Sequence, residues 1–167
     1  MTIAASKIVP CLWFDSEAEE AAKFYCSIFN NSRIAYVSRY GEEGHDIHRK
    51  PAGSVMVVMF ELDGQKFTAM NGGPRVTFDD AVSFQIECKD QDEVDYYWAK
   101  LTAGGEERPC GWLKDKFGLS WQVVPVVLYE MLTDKDCAAS QRVMHAFMQM
   151  TKYDVAALKC AFEGTVQ

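Results

Sequence analysis

The sequence predicts an α+β fold: two β-α-β-β-β units forming a curved mixed sheet, followed by C-terminal helices. Three observations predict it. Two acid-started amphipathic segments, near 17–29 and 90–101, each follow a short apolar run and each precede strand-like runs. These helices superpose at a constant offset of 73: Glu20, Ala21, Phe24, Tyr25 and Ile28 fall on Glu93, Val94, Tyr97, Trp98 and Leu101. The last hairpins superpose at an offset of 54, with Gly64, Phe67 and Ala69 falling on Gly118, Trp121 and Val123. Five elements repeated in one order are most simply a duplication.

In the first unit, 7–73, Lys7–Phe14 is a short β-leaning run with Pro10 at an edge or bulge. Asp15-Ser16 supplies an N-cap, and Glu17, Glu19 and Glu20 sit where the helix dipole favours acids. Asn30-Asn31-Ser32 ends that helix. Arg33–Tyr40 reads as a strand, Gly41–Gly53 as a polar loop, and Ser54–Leu62 and Gln65–Asn71 as a hairpin around Asp63-Gly64. In the second unit, 81–125, Ala81–Cys88 alternates, with Val82, Phe84, Ile86 and Cys88 on one face and Ser83, Gln85 and Glu87 on the other. A helix over Asp90–Leu101, a strand over Glu106–Leu113 and another over Leu119–Val124 complete it. The domain therefore spans 1–125. Residues 126–167 form a helical extension, with segments at Val126–Leu132, Ala138–Met150 and Val155–Phe162 and a start at Asp134 or Asp136.

Composition narrows the function classes. A net charge of −7 argues against a broad nucleic-acid or anionic-membrane surface. No apolar run reaches the ~20 residues that span a bilayer. Six scattered cysteines without a Cys-x-x-Cys pair argue against zinc ribbons and thioredoxin chemistry, and point to free thiols in a reducing cytoplasm. His45-x-x-His48 lacks acidic partners and reads as solvated loop polarity. No glycine-rich turn opens a helix after a strand, so a nucleotide or methyl-donor cradle is unsupported. No Ser-His-Asp set can be assembled.

Four stretches carry a family resemblance: FDSEAEEAAKFYCSIF, FELDGQKFTAMNGGP, the run from Gln91 to Leu101, and CGWLKDKFGLSWQVVP. They resemble the PhnB-like branch of the vicinal-oxygen-chelate (glyoxalase, bleomycin-resistance, dioxygenase) superfamily, whose members often carry the label 3-demethylubiquinone 3-methyltransferase. The resemblance implies that each unit curls its sheet into a cup with its helix outside. It also implies a homodimer. Metal-dependent members take one ligand near the first strand and one on the last strand of each unit. Those positions fall near Val9 and Thr68, and near Ser83 and Gln122, of which only Gln122 serves well. The expectation is therefore no catalytic metal and no cofactor.

With that fold, Ser83, Gln85, Glu87 and Gln122 face the cup, either as pocket or as solvated surface, and Trp121 packs under a helix. Cys11, Trp13 and Thr68 are the corresponding candidates of the first unit, with Asn71 at the rim of its cup. Cys110 and Trp112 are candidates near the second, the facing of Trp112 being undecided. The leading reading is a metal-independent small-molecule-binding protein. The alternatives are an enzyme, either a lyase or isomerase using Gln122, Glu87 or Cys110 or the family's methyltransferase, and an interaction module acting through the tail.

Overall fold

The computed structural model describes residues 7–165. The chain divides into two compact units, Met1–Thr77 and Phe78–Gln167, the second including the C-terminal helices.

The first unit runs β1 (Cys11–Phe14), α1 (Ala18–Ile28), β2 (Arg33–Arg39), a one-turn α2 (His45–His48), β3 (Val55–Leu62) and β4 (Gln65–Asn71). Its sheet order is β1-β4-β3-β2. β1 lies parallel to β4, with Cys11 opposite Thr68; the other pairings are antiparallel. Asp63 (φ +46°) and Gly64 (φ +80°) make the tight turn that the Asp-Gly pair predicts. Apolar side chains of one sheet face are buried with α1. The rings of Tyr25, Phe60 and Phe67 stack in series, with centroids 6.4 and 5.4 Å apart.

The start of α1 differs from the expectation. Glu17 stands at the N-cap and no side chain of the local Asp15-Ser16 pair caps the helix. The Ala18 N–H instead donates to Asn71 Oδ1 at 2.9 Å, from the far end of β4. The expected polar loop also contains α2, where Tyr40 packs on His48 with centroids 4.6 Å apart.

The second unit runs β5 (Ser83–Cys88), α3 (Gln91–Thr102), β6 (Glu106–Glu107), β7 (Trp112–Lys114) and β8 (Ser120–Pro125), then α4 (Val126–Leu132), α5 (Cys137–Phe147) and α6 (Val155–Glu163). Its sheet order, β5-β8-β7-β6, repeats the first, again with the outer pair parallel. α3 buries Val94, Trp98 and Leu101. Asp90 caps it by accepting from the Glu93 N–H, and the Glu93 carboxylate accepts from the Lys89 N–H, a reciprocal arrangement of the capping-box kind.

Two strand boundaries shift. Val82 is 66% exposed and lies outside β5, because pairing with β8 begins only at Ser83 opposite Ser120. The predicted strand over Glu106–Leu113 is broken by Cys110 (φ +59°) and Gly111 (φ +74°), whose left-handed backbone cannot continue a ladder. The C-terminal helices enclose a core of their own: Val124, Leu128, Met131, Val143, Tyr153 and Leu158. Asp136 and Asp154 cap α5 and α6.

Candidate functional site

Each unit covers one face of its sheet with a helix, and the side chains of the other face form a separate row. In the second unit alternation along β8 sets the division. Trp121 (3% exposed) and Val123 point into the core, while Gln122 is only half-buried on the other side. Strand register then groups the neighbours. Gln85 pairs with Gln122 across β5–β8, and Trp112 pairs with Gln122 across β7–β8. The facing of Trp112 is thereby decided: it shares a face with Gln85 and Gln122.

These side chains are hydrogen-bonded in a line. Gln85 Nε2 donates to Gln122 Oε1 at 3.1 Å, and Gln122 Nε2 donates to Ser83 Oγ at 2.8 Å. The two amides therefore hold each other in one orientation beside an indole. Glu87 is exposed on the same strand; burial first, and then the charge of Glu87, raises the pKa of Tyr129 on α4. Val124, two residues beyond Gln122, is instead covered by the C-terminal helices.

The other end of the row carries a charged network that the sequence reading missed. Ser120 Oγ donates to Asp80 Oδ1 at 2.8 Å, Lys114 Nζ lies 3.2 Å from the same oxygen, and Arg108 Nη1 lies 2.6 Å from Asp80 Oδ2. Arg108 also pairs with Glu106. The Ser120 hydrogen bond first, then Lys114 and Arg108, hold the Asp80 carboxyl below its ordinary range against the opposing effect of desolvation. Lys114 and Ser120 were findable, since each lies two residues along a strand from Trp112 or Gln122. Asp80 was not, because it reaches the strands from an irregular segment.

In the first unit the open face brings together Cys11 and Thr68 by register, with Trp13 opposite Met70. The Trp13 indole packs against Gly72, where a Cβ would come within 2.0 Å of the ring, and its Nε1 donates to the Gly73 carbonyl at 2.9 Å. The Gly72-Gly73 turn thus serves as the seat of this ring. Asn71 is 5% exposed and committed to structure: besides accepting from Ala18 it donates to the Val55 carbonyl at 3.0 Å, and its own carbonyl accepts from Tyr40 Oη at 2.7 Å. Cys110 is also placed elsewhere. Its thiol lies 3.9 and 4.0 Å from the Phe147 and Met148 carbonyls at the end of α5, apart from the glutamine row.

A groove of about 1010 Å³ lies on the second unit between the start of α3, α4 and the start of α6. Several of its polar groups are already engaged. Gln91 donates to the Tyr153 carbonyl and accepts from the Val155 N–H, and Asp95 pairs with Lys152. This groove is the seam along which the C-terminal helices dock. In the glutamine row the Gln122 amide is half-buried and the Gln85 amide exposed, and they bond to one another and to Ser83, which leaves the row open as a candidate binding surface.

Residues 6–124 match the family described as 3-demethylubiquinone-9 3-methyltransferase. The chain belongs to this PhnB-like family. A solved PhnB protein from Bacillus cereus is 34% identical, with a TM-score of 0.63; the match covers 72% of this chain and 100% of that one. A Pseudomonas aeruginosa protein (18% identity, TM-score 0.58) shares the fold over 72% of this chain and 97% of its own. So does the fosfomycin resistance protein FosX from Listeria monocytogenes, solved with Mn(II) and sulfate (20% identity, TM-score 0.52), over 78% of this chain and 100% of its own. No curated protein matches the chain. The fold is that of the vicinal-oxygen-chelate superfamily.

A divalent ion, which metal-dependent members of that superfamily hold, does not fit the donors of this PhnB-like chain. In the first unit the positions that the family resemblance implies fall near a hydrocarbon, Val9, and a hydroxyl, Thr68. In the second they are Ser83 and Gln122, already bonded to each other. Imidazole, carboxylate and thiolate are the groups that hold zinc, iron or manganese, and none stands there. Among the described residues no group of three or more His, Cys, Asp or Glu side chains is placed to hold a metal. Nor is any helix there long and apolar enough to cross a membrane.

Proposed function

We propose that this PhnB-like protein is a metal-independent binding protein for a small, flat molecule, held on the open face of the second sheet. The observation that carries this is the Gln85–Gln122–Ser83 line beside Trp112. The indole offers an apolar plane, and the oriented amides offer a donor and an acceptor at its edge. A planar aromatic amide or carboxylate matches both. Tryptophan fluorescence, titrated with benzamide and nicotinamide as first probes, tests this. Quenching is expected to survive prior dialysis against EDTA. Gln122→Ala is expected to weaken binding roughly tenfold, the worth of about 1.4 kcal/mol of hydrogen bonding. Binding that vanishes with EDTA, or that ignores Gln122→Ala, sinks the reading.

The same proposal includes a homodimer in the reducing cytoplasm. It is supported by exposed Tyr36 and Met59 on the first sheet and by six free thiols. A monomer mass by light scattering at micromolar concentration contradicts the dimer. The methyl transfer in the family's description finds no support in the site: Gly72-Gly73, the one double glycine near a cup, is filled by Trp13. A thermal shift with S-adenosylmethionine is expected to be nil.

A further inference from the structure

One turn of the second sheet, just before Trp112, is hydrogen-bonded to the loop between α5 and α6. The Cys110 N–H donates to the Met150 carbonyl at 2.7 Å, and the Gly111 N–H donates to the Thr151 carbonyl at 2.8 Å. Tyr153 Oη donates back to the Cys110 carbonyl at 2.8 Å. Gly111 is the close point of this junction: a Cβ there would lie 2.4 Å from the Tyr153 ring and 2.8 Å from the Val123 carbonyl. On its other side the Gly111 carbonyl accepts from the Val123 N–H at 2.8 Å. The next residue is Trp112.

We infer that the loop joining α5 to α6, residues 148–154, is a strap that sets the orientation of Trp112 on the binding face, with Tyr153 and Gln91 as its positioning residues. Cys110 is held at φ +59°, a conformation uncommon for any residue but glycine, asparagine or aspartate. Two strap carbonyls and one phenol hold it there. When they are lost, Cys110 relaxes to negative φ and the chain entering Trp112 rotates. The strap is itself anchored from α3, by Gln91 to the Tyr153 carbonyl at 3.1 Å and to the Val155 N–H at 2.8 Å, and by Asp95 to Lys152. It lies beyond residue 124, where the family match ends. In this chain the C-terminal extension thereby orients an indole of the matched domain.

The inference rests on Trp112 lining the binding face, but its test needs no ligand, so the two readings fail separately. The full chain is labelled with 5-fluorotryptophan, and its four tryptophans are resolved by ¹⁹F NMR, with Trp112→Phe assigning the relevant signal. Tyr153→Phe removes only the phenol bond and keeps the ring. Gln91→Ala loosens the strap from α3 and touches neither Cys110 nor Trp112. A shift or broadening of the Trp112 signal in either variant, with the Trp13 signal unmoved, is the expected result. A Trp112 signal unchanged in both folded variants, or all four signals moving together, overturns the strap.

Discussion

The two units share strand order, parallel closure and helix placement, yet they solve the same local problems with different residues. The first closes its last hairpin with a two-residue Asp63-Gly64 turn. The second uses a longer turn organised by buried Asp115, which accepts from the Phe117 and Leu119 N–H groups and from Trp121 Nε1. The first caps its helix from a distance with Asn71. The second caps locally with Asp90, and the position matching Asn71 is Pro125, which leads straight into α4. The first leaves Met59 and Tyr36 on its open face, while the second carries the glutamine row and the Asp80 network. A common fold thus tolerates exchange of turn, cap and face, because each is a local answer within an unchanged strand register.

Matched substitutions break or sharpen that comparison. The largest gap is expected between the turns. Asp115→Asn should destabilise by about 3 kcal/mol in urea unfolding, since an amide NH₂ must face a buried donor. Asp63→Asn should stay within about 0.5 kcal/mol, because asparagine also adopts the left-handed conformation that the turn requires. Equal costs at the two positions undo the contrast. The caps come next: Asn71→Ala should cost about 2 kcal/mol by abandoning two buried partners. Asp90→Ala should cost about 1 kcal/mol, as for an ordinary N-cap. The reverse order contradicts the remote cap.

The smallest effect concerns pH. The carboxyl of Asp80 is depressed in the folded state, so its stabilisation is complete above the unfolded value of about 3.9. It is lost as pH falls through the lower folded value. Asp80→Asn should therefore lower Tm at pH 7, and the gap should narrow as the pH falls below the ordinary carboxylate range. A gap that does not narrow shows that the network works through shape and not charge.

Periodicity made the duplicated architecture readable, because alternation and helical spacing are properties of neighbouring residues. It put Trp121 in the core and Gln122 outside it, and the hairpin at Asp63-Gly64 followed from turn chemistry. The unread features are long-range. Asn71 meets its helix 53 residues away, so its position at a strand end suggests only a turn. Cys110 has its thiol beside α5, a relation fixed by tail docking that flanking sequence does not encode. The facing of Trp112 needed the β7–β8 register, which a strand of three residues is too short to announce. The Asp80 network required the path of an irregular segment across two strands.

The remote cap has a kinetic consequence. The first turn of α1 lacks its partner until β4 has been made and seated, so the helix cannot be finished early from its own sequence. Its completion is tied to closure of the long loop that brings Thr68 to Cys11, the slow class of contact in folding. α3, capped from within, carries no such dependence. On a ribosome the second helix has its cap to hand as soon as it emerges, whereas the first must wait for the strand that ends its unit.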